Sequence, residues 1–225
     1  MIPSSAGTVA GLLLWGTVVG VDLVSFPQGL LSRPLVAGAG AGLILGDAAL
    51  GLQVGLVLEL FALDVLPVGA ARYPDYGPGV VGAVLLASGH DMEHSLGLAT
   101  LFGLGFSMLG GWSLQLLRQA NGRTIQRYAA GLAAGDAATV AAIQYRGLAR
   151  DSLRSLLLTA GAIGAAAFLQ PRLPESERFV LVSAVAIGSG VAAALGGALR
   201  NAGHGARLRW LGAGAGVGLL LAVLW

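Results

Sequence analysis

Cysteine and lysine are both absent from the 225 residues. Without cysteine there are no disulfides, no thiol catalysis and no cysteine metal site. Charge of either sign is also scarce. The chain carries 13 basic and 11 acidic residues, so 11% is charged, against ~25% in a soluble domain. Too few charges are present to cover a soluble surface, which excludes an ordinary soluble enzyme, a disordered chain and a nucleic-acid module. The formal net charge is only +2, so a pI near 9.5 does not argue for nucleic acid. All the cations are arginine, a choice we read as genome base composition. What is abundant is apolar: hydrophobic residues make up 56%, and there are 37 glycines. The glycines keep no three-residue period, so collagen is excluded. The composition is that of an all-α polytopic membrane protein.

A helix rises about 1.5 Å per residue, so the ~30 Å hydrocarbon core needs roughly 20 residues. Uncharged runs over 2–21, 95–117, 179–199 and 210–225 are long enough or nearly so, and 155–170 is a fifth, stopped by Pro171. Three runs, 34–46, 48–58 and 76–89, are too short to cross alone. Pieces of that length are expected as re-entrant or discontinuous helices, where backbone lines a cavity or is buried in protein. No positive charge precedes the first run, since the first arginine is Arg33. The run therefore reads as a retained helix rather than a signal peptide.

Arg118, Arg123, Arg127, Arg146, Arg150 and Arg154 crowd the connection 118–154, opposed only by Asp136 and Asp151. The positive-inside rule places this connection in the cytoplasm. Its alanines, its arginine spacing and a break near Gly131–Gly135 predict two short amphipathic helices, on the membrane or against a partner. A solvated connector is the equal alternative. The whole of 1–225 reads as one integral membrane domain.

Charges inside apolar runs carry a cost of at least ~2.5–3.5 kcal/mol at mid-membrane, so they are informative. Glu59 is the clearest, with no basic residue within ten positions on either side. It is either a structural glutamate capped by a neighbouring helix end or a substrate-binding carboxylate facing a polar cavity. The second reading is preferred, because one carboxylate can accept from two adjacent sugar hydroxyls. Asp47, between two short runs, suits the tip of a helical hairpin as an N-cap. For Asp22, turn and cavity roles stand level. Arg33 precedes Pro34, a residue favoured in the first turn of a helix, and either snorkels to head groups or pairs with one of these acids.

Gly38, Gly42 and Gly46 recur four apart, as do Gly51 and Gly55. This fits close helix packing in lipid; the spacing is not that of a nucleotide loop, and no strand precedes it. His90-Asp-Met-Glu93-His94 matches H-x-x-E-H, an inverted zinc-peptidase pattern. That chemistry needs both histidines on one helix face and a third ligand. Here the motif straddles Gly89 at a segment junction, and an interfacial turn is the preferred reading. No metal or cofactor is expected.

Five linked elements are more specific than any of these: Arg33-Pro34-Leu35-Val36, Leu45-Gly46-Asp47, Gly55-Leu-Val-Leu-Glu59-Leu60, Val68-Gly69-Ala70-Ala71 and Pro74-Asp75. In this order and at this spacing they resemble the IIC subunit of the mannose/fructose/sorbose family of the bacterial phosphoenolpyruvate:sugar phosphotransferase system. The likeness is strongest over 33–75 and looser through 118–154. It implies a multi-pass protein of the bacterial cytoplasmic membrane that passes a hexose or amino-sugar and does no chemistry itself. The partners implied are a second membrane subunit, IID, and the cytoplasmic phosphocarriers IIA and IIB, with IIB phosphorylating the incoming sugar. A rocking or elevator movement is the implied mechanism. By the match, 33–75 is the hairpin region of the substrate path and Glu59 is its sugar-binding carboxylate. Asp75, Gly69 and Ala70 are implied to lie beside Glu59. Gln28 and Asp22 stand where the family places a glutamine and an acid. Arg33, Pro34, Asp47 and Pro74 are implied as structural. Glycine-lined faces make an oligomer the expectation. Two other functions compete: a membrane hydrolase built on His90, Glu93 and His94, and a substrate-capture component outside the phosphotransferase system.

Overall fold

The computed structural model describes residues 5–63, 72–173 and 178–198, with the isolated positions 205 and 209. Among the described residues there are eight α-helices and no strand: α1 (Ala6–Asp22), α2 (Pro34–Leu45), α3 (Ala48–Ala62), α4 (Tyr76–Ala87), α5 (Met92–Arg127), α6 (Ala129–Ala133), α7 (Ala137–Leu169) and α8 (Arg178–Ala198). Three helical stretches are long and apolar enough to cross a membrane: Met92–Arg127, Ala137–Arg172 and Phe179–Gly197. The predicted last run, 210–225, lies outside the described residues. The first run differs from its expectation: α1 has 17 described residues, about 25 Å, which falls short of a full span.

The three short runs are the short helices α2, α3 and α4. A chain turn between α2 and α3 follows from local chemistry. Gly46 takes φ +82°, the left-handed conformation that favours glycine, and caps α2. The next residue, Asp47, caps α3 by accepting from the Leu50 amide at 2.9 Å. Glycine then lets the two arms touch backbone to backbone. A Cβ on Gly42 would stand 2.8 Å from the Gly51 Cα, and one on Gly55 would stand 2.7 Å from the Pro34 carbonyl oxygen. Such an interface admits no side chain, which is the close packing that small residues allow in lipid.

At the centre stands α4, every one of whose 12 residues is buried. A helix apolar on all sides has no solvent face to present, and α1, α2, α3, α5 and α7 all pack around it. Outward-facing Leu14, Met108, Trp112, Leu157 and Leu181 are exposed. Exposed apolar side chains of this kind fit a membrane protein, where the bilayer replaces water as solvent.

Residues 118–154 correct the expectation of two short helices. Residues 118–127 simply continue α5, which reaches 36 residues, and 137–154 begin α7, which has 33. Alanine, leucine, glutamine and arginine are strong helix formers, so nothing stops either helix where the bilayer ends. The break comes only at the five-residue α6 and at Gly135, with φ +69°. Asp136 restarts the chain as the N-cap of α7, accepting from the Ala138 and Thr139 amides. The Thr139 hydroxyl and these amides hold its carboxyl below the usual carboxylate range. Two arginines brace the hairpin across its width. Arg146 bonds and stacks on Tyr128, and Arg150 donates to Thr124 at 2.7 Å and to Asn121 at 3.2 Å.

Candidate functional site

At the arginine-rich end of the bundle, the carboxyl end of α1, the base of the α2–α3 hairpin and the stretch before α4 converge on α5. Between them lies a cavity of about 650 Å³, within the usual range for small-molecule sites. Leu117, Arg118 and Asn121, at the arginine-rich end of α5, line it. Its other polar walls are Asp22, Ser25, Gln28, Ser32, Arg33, Tyr73 and Tyr76, with Pro34, Ala62 and Pro74 among the apolar ones.

Asp22 fills both of the roles left open for it. It is 1% exposed and lines the cavity, yet its two oxygens accept from the Gly29 amide at 2.6 Å and the Ser32 amide at 2.9 Å. The carboxylate thus holds the loop between α1 and α2 closed upon itself. Gln28 needs that support, since it has φ +58° and Leu30 has φ +66°, a region costly for residues with a side chain. The result is that Gln28 is displayed on the cavity wall, with an exposed amide that has no hydrogen-bond partner among the described residues.

Glu59 has a partner that sequence distance hid. Its carboxylate pairs with Arg33, 26 positions upstream, and also accepts from the Leu35 amide at 3.2 Å. Leu35 lies in the first turn of α2, where unpaired amides and the helix dipole favour a negative charge. Arg33 itself takes the salt-bridge alternative and lines the cavity, whereas Glu59 does not. The expectation of a carboxylate turned into the polar cavity is therefore not what this conformation places there. Gly69 and Ala70 lie outside the described residues.

Asp75 is fully buried, and its polar partners lie away from α3. Arg154 of α7 donates to it at 2.8 Å and to Asp151 at 2.8 Å, with further bonds to Ser113 and the Gly20 carbonyl. Ser25 of the α1–α2 loop donates to Asp151 in turn. This ionic cluster was missed from sequence, where Asp151 and Arg154 counted only as charges of the cytoplasmic connection. One signal was available: Arg154 is the last charge before an uncharged run that begins at Ser155. The cluster sets the cavity wall, because Tyr73, Pro74 and Tyr76 flank Asp75. Gly110 and Gly111 let that stretch lie directly on α5, where a Cβ on Gly110 would stand 2.8 Å from the Asp75 Cβ.

The H-x-x-E-H histidines are not presented together on one helix. His90 precedes α5 and its Nε2 lies 3.0 Å from the Gln170 carbonyl, while Asp91 caps the helix and His94 rides on it. The geometry that zinc hydrolysis needs is thus not built by this segment.

Comparison with known proteins adds six findings. A family model described as the PTS system sorbose-specific IIC component matches residues 7–201. The sorbose-specific EIIC component of Lacticaseibacillus casei is 34% identical over 90 residues, 39% of this chain and 32% of that protein. The sorbose-specific EIIC component of Klebsiella pneumoniae is 46% identical over 59 residues, 26% of this chain and 22% of that protein, and the fructose permease IIC component of Bacillus subtilis (strain 168) is 36% identical over 93, 41% and 34%. The matches span about a third or less of these relatives' length. Among solved structures, one described as a membrane protein superposes with a TM-score of 0.72, covering 98% of this chain and 95% of that chain at 19% identity. The mannose transporter ManYZ in complex with microcin E492 gives 0.64, covering 98% and 94%, also at 19% identity.

Proposed function

The chain belongs to the family of sorbose-specific IIC components of the phosphotransferase system, and on that premise we propose that it is the sugar-translocating membrane subunit of such a transporter. It works with a IID subunit in the membrane and hands its hexose or amino-sugar to a phosphorylated IIB carrier on the cytoplasmic side, IIA being the carrier upstream. The observation that carries the reading is the cavity at the arginine-rich end of the bundle, whose walls offer neutral hydrogen-bonding groups at Gln28, Ser25, Ser32, Tyr73, Tyr76 and Asn121. A neutral polyol is recognised by such groups, each able to donate or accept to a hydroxyl.

In this reading Gln28 contacts the sugar directly, presented by the loop that Asp22 holds. Glu59 contributes through Arg33, whose position it sets, and Asp75 through the wall that Arg154 anchors. The short helices are the parts that shift against the long ones during transport, since re-entrant pieces line the path in transporters.

The test is uptake in proteoliposomes holding this chain and its IID partner, with phosphorylated IIB inside. Mannose, fructose and sorbose, the sugars in its relatives' names, are the probes. Accumulation of one of them as its phosphate is expected. No uptake of any sugar, with the complex intact, refutes the proposal.

A further inference from the structure

We propose that the outer face of α5 holds an acidic phospholipid, with its phosphate on Arg72 and its chains along Trp112 and Met108. The site is a second cavity, of about 420 Å³, whose polar lining is Arg72, Gln115 and Gln119. Met108, Trp112 and Leu116 supply its apolar part. Tyr73 and Pro74 line this cavity and the first one alike, so that stretch is a wall common to both. Gly111 lets the wall lie directly on α5, since a Cβ there would stand 3.1 Å from the Pro74 Cα. Nothing in the second site depends on sugar translocation.

The order of side chains along α5 is what points to a lipid. Met108, Trp112, Gln115, Leu116 and Gln119 recur at three- and four-residue steps, so they share one face of the helix. Over the roughly 16 Å from Met108 to Gln119, that face passes from a thioether and an indole to two amides. The wall runs the same way. The Asp75 amide donates to the Ser107 carbonyl at 2.9 Å, Pro74 lies at Gly111, and the Tyr73 hydroxyl reaches Arg118. Arg72 comes next, toward the end that carries the amides. The uncharged run of α5 ends at Leu117, so this is where hydrocarbon gives way to head groups, a level that tryptophan favours. A small soluble anion has no use for the apolar end. Close helix packing in lipid favours small residues, yet this face carries Trp112 and Met108, 65% and 68% exposed.

Charge then selects an acidic head group. Among the described residues Arg72 has no hydrogen bond and no ion pair, and none of those lining the cavity is an acid. A planar guanidinium meets two oxygens of a phosphodiester at once, and charge-assisted pairs of this kind are the strong ones. The Gln115 and Gln119 amides also have no partner among the described residues, and each can donate to phosphate or exchange bonds with a glycerol hydroxyl. A zwitterionic lipid would bring a cation of its own beside Arg72, with no carboxylate among those lining residues to offset it.

The test is quenching of Trp112 by brominated lipids in phosphatidylcholine vesicles that hold the full chain with its IID partner. The signal of Trp112 is the part of the tryptophan emission that Trp112→Phe removes. Brominated phosphatidylglycerol should quench it at a concentration about 5-fold lower than brominated phosphatidylcholine does, the scale of one arginine near the membrane surface. Arg72→Gln should remove that preference, and Arg72→Lys should keep most of it by keeping the charge. Equal quenching by the two lipids in the wild type overturns the site, as does a preference that survives Arg72→Gln. Glycerol phosphate, a head group without chains, should not relieve the quenching. Relief at equal concentration would leave only an anion pocket and overturn the lipid. A Trp112 that neither lipid quenches in the complex would mean that a protein covers this face, which overturns it too.

Discussion

Replacing Glu59 with glutamine removes one negative charge and leaves the side chain's size intact. The carboxylate accepts from Arg33 and from the Leu35 amide, and the two side chains of the ion pair are 35% and 14% exposed. A hydrogen bond to a charged group is worth about 1.5–3 kcal/mol and a neutral one about 0.5–1.5, so each of the two bonds weakens by roughly 1 kcal/mol. Partial exposure screens the pair, which brings the total to about 1–2 kcal/mol, or roughly 5- to 30-fold in an equilibrium. If Glu59 acts by placing Arg33, its effect on sugar affinity must disappear once Arg33 is gone. A double-mutant cycle with Glu59→Gln and Arg33→Gln, read as sugar dissociation constants of the IIC–IID complex, measures this. The double variant should bind no worse than the weaker single one. Losses that multiply, or a strong effect of Glu59→Gln beside a silent Arg33→Gln, would show the carboxylate touching sugar directly and refute the reasoning.

Two further perturbations follow from the same structure. Asp22→Asn keeps the side chain's shape but replaces one of the two accepting oxygens with a donor facing a backbone amide. Sugar affinity should drop about 10-fold or more with the complex still assembled, by the energy of a charged bond lost; unchanged affinity would separate loop closure from binding. Arg154→Met leaves Asp75 and Asp151 buried without their cation, which costs about 3–5 kcal/mol where a buried pair is broken, so the melting temperature in detergent should fall clearly. Adding Asp75→Asn and Asp151→Asn should recover much of it, and a single variant that melts like wild type would contradict the cluster's structural role.

What was legible in the sequence was whatever depends on neighbours along the chain. Run length alone marked α2, α3 and α4 as too short to cross, and Gly46-Asp47 marked the turn between two of them. The four-residue glycine spacing carried the backbone contact of α2 with α3. Long-range pairing was not legible. Glu59 looked unpartnered because Arg33 is brought back to it by the hairpin, a folding consequence and not a local one. Arg154 and Asp151 sat at the edge of an arginine-rich stretch, so counting charge for topology absorbed them before their burial was considered. The reach of α5 and α7 beyond the bilayer was missed for a related reason, since hydropathy reports where lipid ends and helix propensity reports where a helix ends.

The lack of native cysteine supplies the most direct test of the sugar site. A Gln28→Cys variant, assembled with its IID partner in oriented vesicles, carries one thiol on this chain, in the cavity wall. An impermeant maleimide should modify it from the cytoplasmic side, and the transported sugar should slow that reaction while non-transported sugars do not. Modification at an unchanged rate in saturating sugar would place the binding site elsewhere and contradict the account.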